Sequence, residues 1–195
     1  IEPFLYGVGL NDFSRGQMIL HWILTYLLWI GGSILVLLQC KRETGFDLFV
    51  DIRKRPFMEK DLKVWQWLLI FFGTLISLYW SYVDWNGFKV FKEFVKRGPV
   101  LFTFQYIYYL IEVFLVLLII IFGQLSFENC FQKKDFPFGG FLAGLTWGLA
   151  HMGTRGTLYA GLSSALLGFL LGSVYVLTNR NVKLSYIILC IIFIL

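Results

Sequence analysis

Apolar residues in this chain come in long runs separated by short polar segments. Five runs cover about 18–39, 64–83, 100–122, a stretch from near Phe138 past His151, and 158–178. A run of about 20 apolar residues spans the hydrocarbon core of a bilayer as an α-helix. The pattern therefore predicts an all-α fold, a polytopic transmembrane helical bundle with five full spans in a single domain, residues 1–195.

Three segments lie outside these spans. Residues 1–17 are mixed in character and predict an irregular or interfacial lead-in. Residues 184–195 are apolar but too short for a normal span, so they predict a short C-terminal helix that is truncated or inserts partially. Residues 84–99 separate apolar and basic side chains on two helical stripes, which predicts an interfacial amphipathic helix in the headgroup region, or alternatively a lid over a site. The apolar stripe is Phe88, Phe91 and Val95, and the basic stripe is Lys89, Lys92, Lys96 and Arg97.

The fourth and fifth spans carry small residues at helical spacing. Small residues allow two membrane helices to approach backbone to backbone, so we expect a close-packed contact between these spans. Gly144→Leu should then disrupt the fold more than Gly31→Leu. His151 is expected on the same side of the fourth span, either as a functional group or as a structural hydrogen-bonding residue. The small residues, called the glycine seam below, are Gly140, Gly144, Gly148, Gly161, Ala165, Gly168 and Gly172.

Composition supports the membrane class. The chain is 58% hydrophobic and 15% charged, with a mean hydropathy of +0.72, which is more apolar surface than a soluble domain of this size can bury. The net charge of +5 comes from residues between the apolar runs, which favours a membrane face over nucleic acid as the partner. Cys40, Cys130 and Cys190 have the spacing of neither a disulfide framework nor a metal site.

Basic residues also predict the orientation of the chain. Eleven of the 17 Lys and Arg residues lie in the first, third and fifth connections, and six lie in the N-terminal segment and the second and fourth connections. Cytoplasmic loops carry the excess of basic residues. The odd-numbered connections are therefore predicted to be cytoplasmic and the N-terminus external.

Glu112 lies deep in the third span, seven residues after Gln105 and on the same helical face. A carboxylate at this depth is costly unless it is neutral, paired or facing a wet cavity. Glu112 is therefore either a functional group or a protonated residue that pins helix packing. A polar path past Gln105 and Glu112 would suit a small transporter or channel subunit, but the sequence lacks the inverted repeat and broken-helix pairs of such proteins.

Residues 123–195 resemble the CAAX protease and bacteriocin-processing family of intramembrane proteases, also called the Abi family. The family's FxxxH motif has a counterpart in Trp147-Gly-Leu-Ala-His151, with an aromatic residue in place of Phe. Its EExxxR motif fits loosely to the stretch from Glu128 and Asn129 to Lys133. The third motif, expected near residues 188–194, lacks its His and Asn, and Cys190 stands closest to the expected position.

The resemblance implies an endopeptidase in the plasma membrane of a bacterium. A water activated by Glu128, or by depth Glu112, with His151 as its partner, would attack a peptide bond near the membrane surface. Asn129 and Lys133 would occupy the remaining positions of the first motif. We expect Glu128 and His151 to converge in one cavity at the cytoplasmic half of the membrane. The substrate would be a lipidated protein, such as a prenylated one, or a peptide precursor.

The missing third motif leaves a second interpretation open. The chain would then act by binding, as a bacteriocin self-immunity protein or as the partner of a peptide exporter. A cofactor is not implied. A zinc site needs about three protein ligands, and His21, His151 and a carboxylate would supply them only if the first span folded against the fourth. His21 itself lies near the start of its span, where a wetted or capping role is expected.

Overall fold

The computed structural model describes residues 14–57 and 62–195, apart from the side chains of residues 154 and 155. The expected lead-in therefore lies, up to residue 13, outside the described residues. The described part of the chain is all-α, as predicted, and contains no strand. Its helices are α1 (Arg15–Thr44), α2 (Leu48–Lys54), α3 (Val64–Asp84), α4 (Lys89–Phe131), α5 (Phe138–Arg155), α6 (Leu158–Leu177) and α7 (Val182–Ile194).

Four of these helices, α1, α3, α4 and α6, are long and apolar enough to cross a membrane, which indicates a membrane protein. They correspond to the first, second, third and fifth predicted spans. The fourth predicted span is the 18-residue helix α5. The C-terminal helix α7 has 13 residues, about 20 Å in length, and is short as predicted.

Helix ends follow local sequence signals. Ser14 and Gln17 form a capping box at the start of α1, in which each side chain accepts a hydrogen bond from the other residue's backbone N–H. Gly45 ends α1 in the left-handed conformation with φ +70°. Thr157 and Asn181 cap α6 and α7, since their side-chain oxygens accept the N–H groups of the first turn.

The predicted amphipathic segment and the third span are one helical element that bends at Gly98. Gly98 has φ +74° and ψ 168°, and Pro99 follows it without a backbone N–H. Gln105 Nε2 donates a hydrogen bond to Glu93 Oε1 at 2.8 Å. In a straight helix, residues twelve positions apart would be separated by about 18 Å. Residues 88–97, called the basic arm below, therefore fold back along the first turns of the span.

The helix α4 occupies the centre of the bundle, where it packs against α1, α5 and α7. Its core residues Leu117 and Ile120 are fully buried, as is Leu189 of α7. A smaller apolar cluster, with Met18 and Leu101, joins the start of α1 to α4 just after the bend. α4 thus connects the paired helices α5 and α6 to the first span.

The odd-numbered connections meet at one end of the bundle, called the Arg180 end below. Arg55 Nη1 donates to Asn179 O at 2.9 Å, which ties the first connection to the fifth. Arg180 Nη2 donates to Lys134 O at 2.7 Å, which ties the fifth to the third. The bend at Gly98 lies toward the opposite end, called the Gly98 end. The count of basic residues assumed that odd-numbered and even-numbered connections lie at opposite ends of the bundle, as they do here. Which end faces the cytoplasm stays a prediction.

Candidate functional site

The helices α5 and α6 touch along the glycine seam. A side-chain carbon on Gly144 would lie 2.6 Å from Ala165 O, and one on Gly168 would lie 2.7 Å from the Cα of Gly144. Both distances are shorter than van der Waals contact, so these positions admit no side chain while the backbones stay in place. The predicted seam is confirmed. It fixes the position of α5, the helix that carries His151, against α6.

Glu128 takes part in an ion pair at the Arg180 end. Its Oε1 accepts hydrogen bonds from the guanidinium of Arg180 and, at 2.7 Å, from Gln124 Nε2. The Glu128 side chain is only 11% exposed. The fully buried Gln124 also accepts the Gly139 N–H at 2.9 Å and donates to Phe136 O at 2.8 Å. Glu128 therefore joins the end of α4 to the start of α5 and to the α6–α7 turn.

That turn owes its shape to two residues in the left-handed region. Asn179 has φ +54° and Arg180 has φ +60°, a conformation that costs free energy for residues other than glycine. Hydrogen bonds to neighbouring elements hold it, since Gln66 Nε2 donates to Asn179 Oδ1 at 3.0 Å and Asn181 Nδ2 donates to Pro56 O at 2.9 Å. The sequence does not reveal these partners, which lie 113 and 125 residues away along the chain.

His151 lies toward the Gly98 end. Its Nδ1 is 3.0 Å from Trp147 O, and its ring meets the Trp147 indole edge to face with centroids 5.3 Å apart. Gly139, which is tied to Gln124 one turn from Glu128, precedes His151 by twelve residues, or about 18 Å of helix. The predicted convergence of Glu128 and His151 is therefore wrong. The reason is the direction of α5, whose first turn and not its last turn adjoins Glu128.

Glu112 lies closer to the depth of His151 in the bundle than Glu128 does. It precedes Gln124 by twelve residues on α4, just as His151 follows Gly139 by twelve residues on α5. Because α4 and α5 pack against each other and run in opposite directions, both residues lie about 18 Å from that tie. Glu112 and His151 are half-buried at a similar depth.

Aromatic contacts connect the two helices at this depth through α7. Trp147 stacks on Phe193 with ring centroids 5.2 Å apart, and Tyr109 meets Phe193 edge to face at 5.8 Å. Trp147 is one turn from His151, and Tyr109 is one turn from Glu112. The C-terminal end of α7 thus lies between the neighbours of the two candidate groups.

The other predicted site residues have different surroundings. Asn129 and Lys133 are exposed at the Arg180 end. His21 is only 4% exposed, which contradicts a wetted position, whereas a capping role stays a prediction. The start of α1 is covered by residues that follow the Gly98 bend. Within 14–57 and 62–195, no group of three His, Cys, Asp or Glu side chains is arranged to hold a metal ion.

Glu93 is a buried carboxylate that the sequence analysis missed. It is 3% exposed, and its Oε1 accepts hydrogen bonds from Gln105 Nε2 at 2.8 Å and Tyr109 OH at 2.7 Å. Its Oε2 accepts one from Tyr106 OH at 3.0 Å. Three donors thus supply hydrogen bonds to a carboxyl group that is withdrawn from water. The sequence does contain one indication of a polar site here, because Gln105 and Tyr109 lie four residues apart on one helical face.

A lateral groove of about 350 Å³ opens between α1, α4 and α7. Its lining is apolar except at Tyr186, whose hydroxyl donates to Leu110 O at 3.1 Å, and at Ser33, which is 3% exposed and whose Oγ has no hydrogen-bond partner among the described residues. Other helical hydroxyls, such as those of Thr146 and Ser173, donate to a carbonyl one turn earlier. Besides Ser33, the groove is lined by Ile30, Ile34, Leu37, Phe49, Leu110, Ile111, Phe114 and Tyr186.

Comparisons of the chain with the profiles of known protein families, with curated proteins and with solved structures found no match.

Proposed function

We propose that the chain is a divergent intramembrane endopeptidase of the CAAX protease type, in which Glu112 and His151 activate the water. The observation that carries this proposal is their similar depth on two adjacent antiparallel helices. Glu128, the first choice from the sequence motif, is assigned a structural role because Arg180 and Gln124 both bind its Oε1 and hold it at the Arg180 end. The substrate is a lipidated protein or a peptide precursor with its scissile bond near the membrane surface.

The proposed chemistry is general-base hydrolysis. Glu112 or His151 accepts a proton from water while the water oxygen bonds to the carbonyl carbon of the peptide. The proton then passes to the leaving nitrogen, and the C–N bond breaks. Two contacts with Trp147 fix the His151 ring. The two rings meet edge to face, and His151 Nδ1 lies 3.0 Å from the backbone carbonyl oxygen of Trp147. In this proposal the proton transfer uses Nε2 of the same ring.

The proposal includes a topology. The chain crosses the plasma membrane of a bacterium five times, with α5 as the fourth crossing because it packs along α6 for its whole length at the seam. The Arg180 end faces the cytoplasm, as the excess of basic residues predicts.

Hydrolysis of a prenylated peptide by the purified chain in lipid nanodiscs tests the proposal. We expect Glu112→Gln and His151→Ala to lower the rate at least a hundredfold, since removing a general base costs about 10²–10⁴-fold. Glu43→Gln, which changes an exposed carboxylate, is the matched control and should leave the rate unchanged. Glu128→Gln should lower thermal stability while the rate per folded molecule stays within a few-fold of the parent.

A second candidate is a binding protein without hydrolytic activity, which the open apolar groove between α1, α4 and α7 favours. An apolar helix of a partner would pack into this groove by van der Waals contact. Absence of hydrolysis by the unmodified chain, together with binding of an apolar helical peptide that is weakened by Ile34→Trp, would favour this candidate. Ile34 lines the groove and is 52% exposed, so the larger side chain would fill part of the groove.

A further inference from the structure

The basic arm presents one face away from the rest of the protein. Its apolar residues Phe91 and Val95 are 70% and 82% exposed. Lys92 and Lys96 follow them on the same side, are exposed, and form no ion pair with any described residue. Together with Phe88, these side chains line a shallow depression of about 450 Å³. The face therefore combines an apolar surface with two lysines that have no acidic partner in the part of the chain that the structure describes.

The carboxylate of the arm points in the opposite direction. Glu93 is the only acidic residue in residues 88–97, and it is buried against α4 by hydrogen bonds from Gln105, Tyr106 and Tyr109. This carboxyl group is therefore held inside the protein, and the outer face carries no acidic residue of the arm. A straight amphipathic helix lying free on a surface would not make this separation.

The remaining two basic residues of the arm are used internally. Lys89 Nζ donates to Phe193 O at 2.9 Å and lies 4.6 Å from the centroid of the Tyr109 ring. The Arg97 guanidinium lies 5.7 Å from the centroid of the Trp22 ring. Both ends of the arm are thus attached to the bundle, and the direction of its outer face is fixed.

We propose that this outer face binds an anionic phospholipid. Phe88, Phe91 and Val95 contact the upper part of the acyl chains, while Lys92 and Lys96 bind the phosphate. A phosphodiester with attached chains matches both halves of the face. A zwitterionic lipid binds less well because its ammonium or choline group cancels the attraction to the lysines. The site is independent of Glu112 and His151, so it does not rest on the proposed hydrolysis.

Site-specific crosslinking to lipid tests the proposal. A photoreactive phenylalanine analogue replaces Val95 in the full chain, in nanodiscs of equal parts phosphatidylglycerol and phosphatidylcholine, and crosslinked lipids are counted by mass spectrometry. We expect phosphatidylglycerol to be enriched about fivefold or more, because each lysine near an anionic surface contributes about that factor. The enrichment should decrease toward one in K92Q/K96Q and in high salt, which screens exposed charges.

Two controls separate this site from general charge effects. K133Q/K134Q removes the same charge from exposed positions at the Arg180 end and should leave the ratio at Val95 unchanged. The same photoreactive residue at Leu35, which is 68% exposed on α1, should report the bulk lipid ratio. Equal labelling of both lipids at Val95, an enrichment that persists in correctly folded K92Q/K96Q, or crosslinking to an acidic protein in place of lipid would overturn the proposal.

Discussion

Glycines lie on two helices of this protein in opposite surroundings. In the glycine seam, a side-chain carbon on Gly148 would lie 2.9 Å from Gly161 O, whereas on Gly31 and Gly32 of α1 it would meet nothing within 4 Å. The seam repeats its small residues every turn on both partners, so two backbones can touch over several turns. The α1 pair has no such repeat. A glycine in a membrane helix therefore indicates a contact when the partner helix repeats the pattern.

The largest effect is expected from Gly144→Leu. The Leu side chain would collide with the backbone of Ala165, which cannot move without opening the α5–α6 contact, and we expect a loss of roughly 3 kcal/mol or more. Gly31→Leu has open space and should not destabilise the protein; we expect a gain of up to about 1 kcal/mol, because leucine is a better helix former than glycine. Thermal unfolding of both variants in one detergent measures the difference, and equal midpoints would contradict the role assigned to the seam.

A methyl group should produce effects of opposite sign at the two faces. Gly168→Ala places its Cβ against the Gly144 backbone and should destabilise the protein by about 1–3 kcal/mol. Gly32→Ala should stabilise it by about 0.5–1 kcal/mol, because alanine loses less backbone entropy in a helix. Denaturant unfolding at constant lipid content is the measurement. If both variants are stabilised, the seam tolerates side chains and the comparison fails.

The smallest effect is expected at the C-terminal end of α1, which is attached to α2 by an ion pair, whereas the glycine face of α1 has no contact within the part of the chain that the structure describes. Lys41 Nζ donates to Asp47 Oδ2 at 2.7 Å, and this bond is the main reason that the pKa of Asp47 lies below its ordinary value of 3.8. A lowered folded-state pKa gives a contribution that is present above the ordinary pKa and is lost as the pH falls through the folded-state value. Phe49 and Val50 donate their N–H groups to Asp47 Oδ1, so their protection against hydrogen exchange, measured relative to an unfolded chain at the same pH, should decrease in acid.

The control for this last measurement is Asp47→Asn, which keeps the side-chain oxygen that caps α2 and removes the titratable charge. Its exchange protection should be slightly lower than that of the parent at neutral pH and should not depend on acid. A parent protein whose protection is the same from about pH 6 to pH 3 would show that the Lys41–Asp47 pair does not hold this end of α1.

The helices and the seam could be predicted because their signals are local. The length of an apolar run determines whether a helix spans a bilayer, and a spacing of four places Gly140, Gly144 and Gly148 on one face. The bend at Gly98 could also be anticipated as a break from its Gly-Pro pair. What the sequence did not reveal is that the arm folds back on the span, since that depends on the ψ value at Gly98 and on partners up to 16 residues away.

The candidate site was predicted less well than the fold because it depends on how helices run past each other. The loose match to the EExxxR motif favoured Glu128 over Glu112 as the partner of His151. The tie between Gln124 and Gly139 reverses that choice, since it sets the register of α4 against α5. Glu93 was assigned to the headgroup region because an amphipathic stripe does not show which of its polar residues turns inward.

The turn at residues 178–181 has a consequence for the biogenesis of the protein. Glu128 leaves the ribosome 52 residues before Arg180, and Pro56 leaves it 125 residues before Asn181. Domains generally form from the N-terminus during synthesis, but here the first and third connections cannot make their bonds to this turn until most of the chain has been translated. Closure of the Arg180 end is thus a late event in assembly, and a translational pause before residue 178 would expose a half-assembled bundle to quality control.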